Sequence, residues 1–201
     1  MTDGVATVGR PRNPGVDARV IAATLELFGE AGWAGLSIEA VARRAGVGKA
    51  SIYLRWSTKE ELLDDALAAL PLAVGEIDTG SVRGDLGQLV RQLLSLYLGS
   101  AGRAVMRLGL DASSIPEVAE HHKVKTRSQV LAARTILRRA IERRELPPKI
   151  PVTLLLDTLC GGAMIHAMST PEHLRARVTA GADKYADELV GFLLDGYAQD
   201  F

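Results

Sequence analysis

The chain has very little cysteine, few aromatics, no excess of either charge and no long apolar run. One cysteine, Cys160, stands among 201 residues. A disulfide framework within the chain is therefore impossible, and a cysteine-rich zinc site is not expected. The first thirty residues hold Asp3, Arg10, Arg12 and Asp17 without an apolar stretch, so no signal peptide is expected. The longest apolar stretch, around 154–168, is broken by Asp157 and His166, which argues against a membrane span. Strand signals are also missing. There is no alternating run of Val, Ile, Thr and aromatics, and no Asn-Gly or Asp-Gly turn. Apolar residues at 47% and charged residues at 24% are ordinary for a globular protein. The length fits one domain, or a small module fused to a larger one. These features predict a reduced, cytoplasmic chain that needs no cofactor and no metal.

Lys plus Arg equals Asp plus Glu at 24 each, yet the distribution is uneven. Residues 1–60 carry eight basic and six acidic side chains. The window 43–59 holds Arg43, Arg44, Lys49, Arg55 and Lys59 with no acid at all. One basic face in a neutral chain suggests an anionic partner, although a solvated helix surface gives the same pattern.

Apolar spacing of three and four predicts an all-α chain. Residues 1–16, rich in Gly and Pro, read as a flexible basic arm. Helices are expected at about 17–31, ended by Gly32, then 38–45 capped by Ser37, 49–55, and a fourth capped by Thr58 that runs to Leu70. Longer helices are expected at about 82–100, 103–111, 116–145, 150–169 and 172–198, punctuated by Gly and Pro.

Residues 37–61 read SIEAVARRAGVGKASIYLRWSTKEE. Two short helices meet at a tight turn. Ala42 permits close crossing, Gly46 supplies the turn, and Ile52 anchors the second helix to the core, as a helix-turn-helix requires. Lys49, Ala50, Ser51 and Tyr53 then face outward, with Leu54 and Arg55 at the end. Small residues at the start of that helix let it enter a major groove.

This segment resembles the TetR family of transcriptional repressors. The residues that carry the likeness are Ser37, Ala45-Gly46-Val47, the small stretch 48–51, Tyr53, Trp56 and Lys59-Glu60. It covers about 18–65. Gly48 departs from the family pattern, where Ser is common, and Trp56 replaces the commoner Phe. The resemblance implies phosphate contacts from Ser37, Tyr53, Arg55 and Lys59, and groove contacts from Gly48, Lys49, Ala50, Ser51 and Leu54. Lys49 is the one long polar side chain at the start of the reading helix, so DNA shape is expected to supply part of the specificity. Arg10 and Arg12 in the arm are candidates for the minor groove, or for plain backbone attraction.

The domain expectation is an arm over 1–16, a three-helix helix-turn-helix DNA-binding domain over 17–62, and a helical ligand-binding and dimerisation domain over 63–201. The last two long helices are rich in small and apolar residues. Leu155, Gly162, Leu189, Phe192 and Leu193 are candidates for a homodimer contact, with packing inside the chain as the competing reading. Leu93, Tyr97, Met106, Leu110, Leu137, Leu159 and Met164 are candidates to line a pocket for a small apolar or amphipathic ligand, though leucine and methionine at this spacing equally build core.

Catalytic patterns fail. Gly46-Val47-Gly48-Lys49 lacks the leading glycine and the Ser/Thr of a phosphate loop. His121 and His122 are adjacent and point about 100° apart on a helix. Nothing assembles a nucleophile, a base and an orienting group. The resulting expectation is a dimeric repressor on a palindromic double-stranded DNA operator, released by a small molecule. The alternative is a helical ligand-binding or scaffold protein without DNA binding.

Overall fold

The computed structural model describes residues 14–70, 74–111 and 115–198, without the side chains of 14, 75, 117, 118, 120–122, 124, 125, 197 and 198. All regular structure in these residues is helical. α1 spans Pro14–Gly35, α2 Ile38–Ala45, α3 Lys49–Tyr53 and α4 Lys59–Ala68. α5 spans Val82–Leu98, α6 Gly102–Asp111, α7 Pro116–Glu142, α8 Val152–Met168, α9 Arg175–Ala180 and α10 Ala182–Ala198. Short 3₁₀ turns at Val74–Glu76 and Glu172–Leu174 lead into α5 and α9.

Two expected boundaries are corrected. α1 does leave helical geometry at Gly32 (φ 67, ψ −169), but one more turn follows to Gly35, with Leu36 N–H donating to Gly32 O at 3.1 Å. The single helix expected over 172–198 is three pieces. The 3₁₀ turn gives way to α9, and α9 stops at Gly181, whose φ/ψ of −94/5 is not helical.

The helices bury two cores. The first gathers Val20, Phe28, Leu36, Val41, Ile52, Trp56, Leu62 and Leu63 from α1–α4 and their connections, and takes Ala104 and Leu108 from α6. The second gathers Leu86, Val90, Leu94, Ile136, Leu137, Leu155, Leu159, Ala186 and Val190 from α5, α7, α8 and α10. α6 thus follows α5 in sequence but packs its apolar face into the N-terminal core. Gly29 makes this possible. A Cβ there would come within 2.9 Å of the Ala104 backbone nitrogen, so only glycine lets α1 lie this close to α6.

A buried carboxylate ties α5 to the end of α7. Asp85 accepts from Thr79 N–H at 2.6 Å and Thr79 Oγ1 at 2.8 Å, and pairs with Arg143 at 3.3 Å. Arg139 adds a 3.1 Å pair to Asp78. Glu145 pairs with Arg143 at 2.6 Å and accepts from Val82 N–H. No single described helix is long and apolar enough to cross a membrane.

Candidate nucleic-acid interface

The candidate site is built by local signals. Ser37 sits in extended geometry, and its Oγ accepts from Ala40 N–H at 3.2 Å, which starts α2. Gly46 takes the left-handed conformation (φ 65, ψ 40), and Val47 N–H returns to Ala42 O at 3.0 Å. Gly48 opens α3. Ile52 is fully buried and fixes which face of α3 turns inward. Thr58 caps α4 by accepting from Glu61 N–H at 3.2 Å, while Glu61 accepts from Ser57 N–H at 2.7 Å.

This framework leaves a small outward helix. Gly48, Lys49, Ala50, Tyr53 and Leu54 are exposed, Ser51 is half-buried, and Trp56 is buried with its indole N–H on Asp65 at 2.8 Å. Leu54 is 84% exposed. Tyr53 is 47% exposed, with its side chain beside the Lys49 ammonium.

Four of the five cations in the basic window are held by neighbours, and Arg43 is exposed. Arg44 pairs with Glu30 at 2.9 Å and Glu26 at 3.3 Å, both on α1. Lys49 pairs with Glu39 and lies 5.5 Å from the Tyr53 ring centre. Arg55 pairs with Asp17 at 2.5 Å and donates to Ser51 O at 2.9 Å. Lys59 stands 3.8 Å over the Trp33 ring and donates to Trp33 O at 3.3 Å, closing the end of α1. The Glu39 hydrogen bond raises the Lys49 pKa and the same bond holds the Glu39 carboxyl below its usual range. The Arg44 bond likewise lowers Glu30. The linear reading did not foresee these carboxylate partners. Their signal lay 10 to 38 positions away in sequence, on elements that fold back against α2 and α3. Arg10 and Arg12 lie outside the described residues, as do the side chains of His121 and His122.

The expected pocket residues are not brought to one place. Leu93, Leu137 and Leu159 are buried in the second core, with Tyr97 half-buried against it. Met164 is half-buried on α8. Met106 and Leu110 instead border an open hollow of 370 Å³ with Gly29, Arg103 and Arg107, and Leu110 is 80% exposed. Cys160 packs against the second core, where burial and then the Asp157 carboxylate push its thiol pKa up to about 11. A thiol held protonated is a poor nucleophile.

The expected subunit-contact residues also divide. Leu155 is fully buried and Leu193 is 9% exposed, so both are core of this chain rather than surface. Gly162 packs inward, with the Leu189 methyls 3.4 Å from where its Cβ would stand. Phe192 is 79% exposed. Leu154, Ile165 and Met168 on α8 are exposed as well, at 58%, 55% and 48%. Between α8 and α10 lies an open hollow of 570 Å³ lined by Gly161, Gly162, Ile165 and His166, whose ring stacks on Tyr185 at 3.9 Å.

Comparison with known proteins agrees with this geometry. Residues 20–66 match the family described as bacterial regulatory proteins, tetR family. Residues 76–190 match the tetracyclin repressor-like C-terminal domain. The chain is 32% identical over 173 residues to the HTH-type transcriptional regulator AqdR of Rhodococcus erythropolis, covering 86% of this chain and 82% of that one. Among solved structures it is similar to a transcriptional regulator from Rhodococcus sp. RHA1, with TM-score 0.60 and 25% identity, covering 90% of this chain and 96% of that one. The fold is also that of the ketosteroid transcriptional regulator KstR2 of Mycobacterium tuberculosis, with TM-score 0.66 and 17% identity over 95% and 98% of the two chains.

Proposed function

The chain belongs to the TetR family of HTH-type transcriptional regulators, and on that premise we propose that it is a homodimeric repressor of a palindromic operator. The observation that carries this reading is the exposed face of α3, where Lys49, Ala50, Tyr53 and Leu54 stand clear of a core anchored by Ile52. The helix is small enough at its start to enter a major groove. Leu54 offers an apolar contact to a thymine methyl, and Lys49 a donor to base edges. Ser37, Tyr53 and Lys59 border this face for phosphates, and Arg55 joins them where a phosphate displaces Asp17. Two such heads about one DNA turn apart read two half-sites.

The same reading gives residues 17–62 the DNA-binding role and residues 63–201 the sensing and pairing role, with the arm 1–16 adding phosphate attraction. The second subunit docks on the exposed apolar residues of α8 and α10, with Phe192 set against the hollow around Gly161 and Ile165. A small apolar or amphipathic molecule entering the C-terminal helices releases DNA. The route is α6, which shares the N-terminal core and so moves the heads when it shifts. Coupling of this kind is typically worth about 1–3 kcal/mol.

Footprinting on fragments selected from the source genome tests the proposal. Protection of two half-sites about ten base pairs apart, lost with Leu54→Ala at unchanged melting temperature, is the expected result. Absence of any protected site would overturn it.

A further inference from the structure

Glu39 differs in position from the other carboxylates around the basic window. Asp17, Glu26 and Glu30 all lie on α1. Glu39 stands in the first turn of α2, directly beside the first residue of α3. Its side chain is 55% exposed and that of Lys49 is 48% exposed, so the pair lies on the open surface that α3 presents. Lys49 is the one long polar side chain at the start of that helix. Whatever holds its ammonium controls what the helix offers to DNA.

We propose that Glu39 is a specificity-determining residue of the DNA-reading head, which withholds Lys49 from phosphates and delivers it to guanine edges. This rests on the DNA-binding reading above. A neutral Lys–Glu pair releases no counterions when it meets a phosphate. Moving the ammonium to a phosphate also leaves the Glu39 carboxylate unpaired beside a polyanion. Both effects weaken complexes held by the DNA backbone alone. A guanine makes no such demand, because O6 and N7 are neutral acceptors. The ammonium has three donors, so it can keep Glu39 and bond the base at once. The Tyr53 ring, 5.5 Å from the same ammonium, restricts it further. Unfavourable charge placed against wrong partners is a recognised route to specificity.

The test compares the full-length protein with Glu39→Gln, Lys49→Ala and the double variant, by fluorescence anisotropy across a salt series. Two probes are used: a random-sequence duplex, and a duplex pool enriched by selection on the unaltered protein. Freeing one ammonium per subunit makes Glu39→Gln bind the random duplex about tenfold tighter, with a salt slope steeper by about 1.8 per dimer. Affinity for the enriched pool changes little, so discrimination falls. In the Lys49→Ala background the same exchange shifts random-duplex affinity by less than about twofold, since the effect runs through Lys49. Glu39→Ser, a second neutral variant, behaves as Glu39→Gln. Equal tightening on both probes, or an undiminished effect in the Lys49→Ala background, overturns the role of Glu39. If the unaltered protein never prefers its own enriched pool to random duplex, the DNA-reading proposal itself fails, and this one with it.

Discussion

Asp85 is a carboxylate with no exposed surface, and its partners decide whether that burial costs or stabilises. Burial pushes its pKa up. The two Thr79 hydrogen bonds and the Arg143 guanidinium outweigh that effect and leave it below the usual aspartate range. A folded-state pKa below the unfolded value adds stability above the unfolded value, near ~4, and that stability is lost as pH falls through the folded value. Asp85→Asn keeps the shape but leaves Arg139 and Arg143 short of a counter-charge. It is expected to cost about 1–2 kcal/mol at neutral pH, read from urea unfolding. The gap between variant and unaltered protein should shrink below pH ~4, and a constant gap across pH would contradict this account. The residue was not singled out from sequence, because an aspartate in the first turn of a helix reads as an ordinary dipole partner. Its burial comes from Thr79 before the helix and Arg143 58 positions later.

At the scale of elements, what was legible was what is local. Ser37, Gly46 and Thr58 act within four residues of themselves, and α2 begins and ends where those signals place it. Gly46 has open space around it, so a Cβ there meets nothing and only the backbone conformation objects. Gly46→Ala should therefore cost about 1–2 kcal/mol, and Gly46→Asn markedly less, since asparagine tolerates the left-handed region. Equal losses in thermal unfolding would mean that sterics, not backbone strain, govern the turn. The break of 172–198 was not legible, because a lone Gly181 within a stretch of good helix formers reads as a tolerated glycine. The pairing of the basic window was not legible either. A window without acids looks positive until α1 and the start of α2 fold against it. Which apolar residues of α8 turn outward was equally hidden. Leu154 and Leu155 are neighbours in sequence and of one residue type, yet one is exposed and the other buried.

At the scale of the whole molecule, the two cores meet at α6 and where α4 packs against α7, with Ile115 at the start of α7 inside the N-terminal core. α6 contributes Ala104 and Leu108 to the N-terminal core while joining α5 to α7, which is why the proposed release of DNA runs through it. The outward residues of α8 and α10 complete the proposed assembly. Phe192→Asp adds a charge where the account places a subunit contact. It should convert a dimer to a monomer in sedimentation at micromolar protein, with little change in the secondary-structure signal. A variant that stays dimeric would move the contact elsewhere.

In the proposed complex, two α3 helices presented by one dimer grip DNA through its phosphates and read it through its grooves. The most direct test is the salt dependence of binding to a selected duplex, measured by fluorescence anisotropy. Roughly six to eight neutralised phosphates per dimer predict a log–log slope of roughly −5 to −7, with affinity well above that for random duplex. A slope near zero, or equal affinity for selected and random DNA at every salt concentration, would contradict the account.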